Sequence, residues 1–168
     1  MNENAPSQAG GVEPDRRRKA RLAGVQALYE IELGGLPPGE VLDGFLAERL
    51  EEEIDGLRLG RIDRALFRAI VEGVTRHEAA LAEQVGAALD PAWRLVRLER
   101  VLRLILLCGA YELVHRPDVA VEIVITEYVA LAEAFFADRE PALVNGVLDR
   151  LARQVRPLPG TAGAGTAG

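Results

Sequence analysis

The stretch Val101 to Leu113, VLRLILLCGAYEL, is apolar nearly all round. A helix that is hydrophobic on every side has to be surrounded by other elements, so this segment predicts a buried central helix with the rest of the chain wrapped about it. His115-Arg116-Pro117 closes it, because proline supplies no donor to continue the ladder. Its longest uninterrupted apolar run, Leu104 to Ala110, is far below the roughly 20 residues that a membrane-spanning helix needs.

The flanking segments carry the periodicity of surface helices. From Arg16 to Leu33, the residues Leu22, Val25, Tyr29 and Leu33 recur at helical spacing on one face, and Gly34-Gly35 ends the run. Val41, Leu42, Phe45, Leu46 and Leu50 predict a second amphipathic helix that runs into an acidic cluster of Glu48, Glu51, Glu52, Glu53 and Asp55, after which Asp55-Gly56 starts a loop. A third, longer helix spans Arg61 to Leu89: Ile62, Leu66, Ala69, Gly73 and Ala80 share one face beside Phe67, Ile70, Val74 and Leu81, and Asp90-Pro91 breaks it. Trp93 to Leu98 reads as a connector. Val119 to Ile125 is β-branched and strand-like on propensity, yet it has no partner strand and continues into Tyr128, Leu131 and Ala132, so a helix from about Val121 to Phe136 is predicted. The last helix starts at Glu140, with Pro141 in its first turn and Leu143, Val144, Val147, Leu148 and Leu151 on its buried face. The fold class is therefore all-α, with about seven helices in two small packed subdomains. Residues 1–15 and 157–168 lack apolar periodicity and are predicted to be disordered tails around a helical domain of residues 16–156.

Composition narrows the function. The one cysteine, Cys108, forbids an internal disulfide, and residues 1–15 hold no apolar core of a secretory signal, which together point to the cytoplasm. His77 and His115 are far apart in sequence and no CxxC or HExxH spacing is present, so no metal is expected. No G-x-S-x-G or phosphate-binding glycine loop suggests catalysis, and no catalytic residue and no cofactor is assigned. A net charge of −6 argues against nucleic-acid binding, but Arg16, Arg17, Arg18, Lys19 and Arg21 place five cations within six residues. Such a cluster is an RNA footprint or a solvated arm. Cations at a helix start also oppose the macrodipole, which folding does not require.

Three segments in register resemble the NusB family. Arg17-Arg18-Lys19-Ala20-Arg21 with Val25-Gln26-Ala27-Leu28-Tyr29 is similar to the basic start and V-Q-A-L-Y core of that family's first helix. Arg100 to Leu113 resembles its V-x-R-x-I-L-x-x-x-x-Y-E-L central helix. Val124-Ile125-Thr126-Glu127 and Leu131-Ala132-Glu133, followed by Leu143 to Asp149, resemble its I-N-E-A, E-L-A and F-V-N-G-V-L-D ending, with Thr126, Tyr128 and Leu143 departing from the usual Asn, Ala and Phe. The resemblance implies an all-helical, non-enzymatic antitermination factor that binds single-stranded boxA RNA of nascent ribosomal RNA transcripts as a heterodimer with NusE, a small-subunit ribosomal protein. It also implies a place in the RNA polymerase antitermination complex with other Nus factors, and it leaves open whether the free chain is a homodimer.

At the resembling positions Arg16, Arg17, Arg18, Lys19, Arg21, Gln26, Phe135, Arg139 and Asn145 are the RNA-binding candidates, with Tyr29 set aside because its spacing puts it on the core face. Phe135 and Phe136 compete with a core role in which at least one is buried. Asn145 competes with a backbone-satisfying role, and Gly146 beside it is expected to let another helix approach. Glu99, Arg100 and Trp93 are the protein-partner candidates; Glu99 equally suits a helix start, and Trp93 equally suits a subdomain junction. Two rivals remain. One is the accessory domain of ribosomal RNA cytosine methyltransferases, which in those chains precedes a catalytic domain. The other is a helical module whose arginine arm contacts acidic protein.

Overall fold

The structure, a computed structural model, describes residues 12–47, 53–54, 57–58 and 61–157. Among the described residues, six α-helices run in the order α1 (Val12–Gly34), α2 (Pro38–Ala47), α3 (Arg64–Ala88), α4 (Arg100–His115), α5 (Val121–Phe135) and α6 (Glu140–Val155), with a 3-10 turn at Leu95–Arg97 where the connector was predicted. Between α2 and α3, Glu53–Ile54 pairs antiparallel with Leu57–Arg58, Glu53 opposite Arg58 and Ile54 opposite Leu57. The expected tails and most of the acidic cluster lie outside the described residues.

The chain divides into two compact units, residues 1–71 and 72–168. In the first, Leu22, Val25 and Leu28 of α1, Val41, Leu42 and Phe45 of α2, and Leu66, Phe67 and Ile70 at the start of α3 are buried. Phe45 and Phe67 pack with their ring centroids 5.7 Å apart and their planes tilted by 38°. Gly24 lets α1 lie directly on Ile70: a Cβ there would sit 2.9 Å from the isoleucine Cγ2. The expected face of α1 holds for Leu22 and Val25, whereas Tyr29 is half-buried and Leu33 is 57% exposed, because the helix outruns the core it packs on. Gly35, at φ 61°, then takes the left-handed conformation that stops it.

In the second unit α4, α5 and α6 pack on one another. α4 is buried along Leu104–Leu113 as its pattern requires, and Gly109 sets its separation from α6, since a Cβ would lie 2.8 Å from Leu148 Cδ1. Gly146, expected to play that part, faces only the Arg150 side chain. Gly73 does the same for α3, where Tyr111 occupies the space a side chain would fill. The buried stripe of α3 includes Phe67, Ile70, Val74 and Leu81, while Ala80 is exposed; the helix departs from helical geometry at His77 (φ −108°, ψ 17°). β-branched α5 is helical, as the absence of a partner strand dictates, with Val124, Tyr128, Leu131 and Ala132 buried. Burial, then the charge of Glu112, pushes the Cys108 thiol far above its ordinary range, so this thiol is inert.

Candidate nucleic-acid interface

The basic segment lies within α1, one turn further in than expected. The helix starts at Val12, so Glu13 and Asp15 occupy its first turn and Arg16 to Arg21 follow. The macrodipole effect fades within the first turn, so the anticipated conflict is largely relieved. Arg17 and Arg18 are exposed, and Arg16, Lys19 and Gln26 are half-buried. Arg21 is the correction: it is only 2% exposed. A cation this far inside is held by protein groups and does not reach a phosphate without unfolding its surroundings, so the surface set is Arg16, Arg17, Arg18 and Lys19.

Asp63 anchors that face. Its carboxylate accepts from the Leu66 amide at 3.0 Å and so caps α3, while its own amide donates to the Arg16 carbonyl at 3.2 Å. The second carboxylate oxygen lies 3.9 Å from Arg17 Nε, at the outer edge of an ion pair, with the Arg17 side chain 55% exposed. A pair this open and this long contributes little to stability and leaves the guanidinium available to solvent-borne anions. Asp63 was missed in the sequence, although an aspartate three residues before an apolar helical position is a recognisable capping signal.

The other candidates belong to the second unit. Phe135, the last residue of α5, and Phe136 are both half-buried, so neither is the fully buried ring that was expected. Arg139, the N-cap residue of α6, and Asn145, six residues further on, are exposed. Glu99 and Arg100 are exposed at the start of α4, and the Glu99 side chain caps no helix amide. Trp93 is half-buried, with the Arg139 guanidinium over its ring at 5.8 Å, so two residues assigned to different partners share one surface.

Two internal constructions hold this unit and were not legible in the sequence. Arg156 donates from Nε to the Leu113 carbonyl (2.9 Å) and from Nη2 to those of Glu112 (2.9 Å) and Arg116 (2.7 Å), while Nη1 donates to Val119. One guanidinium thus gathers four carbonyls at and just beyond the end of α4, among them those of Glu112 and Arg116, which also accept from the Arg116 and Val119 amides. Tyr128, where the family pattern has alanine, donates its hydroxyl to the buried Glu112 carboxylate.

An all-helical chain of two units with a basic first-helix face defines the class, and comparison with known proteins places it. The sequence profile of the NusB family matches residues 18–153. A protein of Sinorhizobium fredii named transcription antitermination protein NusB is 46% identical over 153 residues, covering 91% of this chain and 96% of its own, and the protein of that name from Rhizobium johnstonii is 48% identical over 145 residues, covering 86% and 91%. Among solved structures, T. maritima NusB matches with a TM-score of 0.69 at 26% identity, over 84% of this chain and 93% of that one. A chain from a crystal structure of antitermination factors NusB and NusE in complex with dsRNA shares the fold, with a TM-score of 0.67 at 23% identity over 83% and 98%. The chain belongs to the NusB family.

Proposed function

We propose that this chain is a cytoplasmic transcription antitermination factor, without enzymatic activity, that binds single-stranded boxA RNA of nascent ribosomal RNA transcripts together with NusE. In this reading it supports read-through by RNA polymerase within a complex of further Nus factors. The observation that carries the RNA-binding part is the exposed Arg17 and Arg18, flanked by half-buried Arg16 and Lys19, on a protein whose net charge is −6. Evolution of an acidic protein does not need a cationic face for folding, and phosphate neutralisation with counterion release gives that face a purpose. The curated relatives carry the antitermination name, and a structural neighbour was crystallised with NusE and RNA. Two partial surfaces on one strand raise the effective concentration of the second contact, so NusE is expected to tighten RNA binding.

The test is titration of a labelled boxA-type single-stranded RNA with the full chain, with and without its own NusE, at two salt concentrations. The expected result is a salt-sensitive complex that NusE tightens and that a scrambled RNA does not match. Binding to NusE with no binding to RNA under either condition would reduce the chain to a protein-docking module.

A further inference from the structure

Trp93 and Arg139 are far apart in sequence, and each is anchored through its backbone. The Asp90 carboxylate accepts from the Ala92 amide at 2.9 Å, and its carbonyl accepts from the Trp93 amide at 2.8 Å, which folds Asp90-Pro91-Ala92-Trp93 into a tight turn. Arg139 stands at the start of α6, where its carbonyl accepts from the Leu143 amide at 3.0 Å. With both backbones fixed, the side chains meet: the guanidinium lies over the indole at 5.8 Å. This is near the outer limit of about 6 Å for cation–π attraction, so the contact orients the guanidinium while leaving it room to shift. Arg139 is exposed, and among the described residues no carboxylate is paired with it.

We propose that Trp93 and Arg139 form a nucleobase-stacking station for single-stranded RNA, in which the Trp93 ring positions the Arg139 guanidinium to receive an unstacked base. The proposal rests on the RNA-binding reading and extends it to a residue pair outside α1. Its chemistry is that of single-strand recognition: planar guanidinium and aromatic faces stack bases with little sequence demand, and adjacent cations track the backbone. Arg94, Arg97 and Arg100 are exposed along the same connector and helix start. Against them stand Asp90, whose carboxylate is committed to the turn, together with Glu99 and Asp138. The balance of planar and cationic groups favours a nucleic acid over a protein partner.

Trp93 is the chain's one tryptophan, so its emission reports on this station alone. The experiment follows Trp93 emission and the anisotropy of a labelled boxA-type RNA in the same titration of the full chain. Emission is expected to change in step with anisotropy. Arg139→Ala and Trp93→Leu are expected to weaken binding about tenfold, Trp93→Phe to stay within about threefold of the parent, and Arg139→Lys to fail to restore affinity although it keeps the charge. Trp93→Leu is expected to leave the salt slope unchanged, because no phosphate contact is lost. Thermal unfolding confirms that each variant is folded; if Trp93→Leu is not, Arg139→Lys carries the test. RNA binding with no change in emission and full affinity in Arg139→Lys would overturn the proposal, as would an emission change produced by the protein partner and not by RNA. Absence of any anisotropy change would instead sink the RNA-binding reading itself.

Discussion

Arginines stand at both ends of the described chain, in contrasting surroundings. At the C-terminal end Arg156 is half-buried and spends its guanidinium on the carbonyls of Glu112, Leu113, Arg116 and Val119. Towards the start of α1, Arg17 is more than half exposed, and among the described residues its ion pair is a distant one, to Asp63 at 3.9 Å. Arg21 lies one turn beyond Arg17 on the same helix and is buried. Residue type therefore does not separate structural from functional cations; burial and partners do. An arginine saturated by protein acceptors stabilises the fold, and one left facing solvent in an acidic protein is available to a ligand.

Substitutions can press on that contrast from the structural side first. The largest expected effect is at Gly73, where a Cβ would fall 2.1 Å from Tyr111 Cε2. Gly73→Ala is expected to cost about 3 kcal/mol, the upper end for overpacking, read as a lower denaturation midpoint at unchanged slope. Arg156→Ala should follow at about 2 kcal/mol, because it strips a charged donor from several helix-end carbonyls, while RNA affinity of the folded protein stays as it was. Loss of RNA affinity in folded Arg156→Ala would break the division between the two ends. Tyr128→Phe is expected to cost about 1 kcal/mol by removing a donor from buried Glu112, measured by the same unfolding curve.

The smallest effect concerns pH. His115 stacks on His77 at 4.2 Å and on Tyr111 at 5.4 Å. Partial burial, and then the charge of His77, hold its pKa below the ordinary 6.5. Below 6.5 the unfolded chain takes up the proton before the folded one does, so this contribution to stability is complete above 6.5 and declines as pH falls through the folded value. Thermal unfolding from pH 7 to pH 5 should show a steeper decline for the parent than for His115→Asn; identical declines would remove the stack from the account.

Much of this was legible in the sequence because it follows from periodicity. The all-round apolar run of α4, the helical continuation that overrides the β-branched start of α5, and the Glu140-Pro141 start of α6 are local signals, and each appears in the structure. What failed was position along the helix. Starting α1 at Arg16 rather than Val12 turned the cations into a first-turn anomaly, and naming all five cations as RNA contacts passed over the burial of Arg21. Arg156 and the Trp93–Arg139 contact were illegible because each joins residues about 40 or more positions apart, and no local pattern encodes such a meeting.

The central claim is that the exposed cations of α1, and not the buried one, meet RNA. Its most direct test is the slope of log affinity against log salt for boxA-type RNA, measured for the parent chain and for Arg17→Ala with Arg18→Ala. At about 0.7 per phosphate on a single strand, losing two contacts should flatten the slope by about 1.4 while helicity and unfolding midpoint stay unchanged. An unchanged slope in a folded double variant would contradict the account.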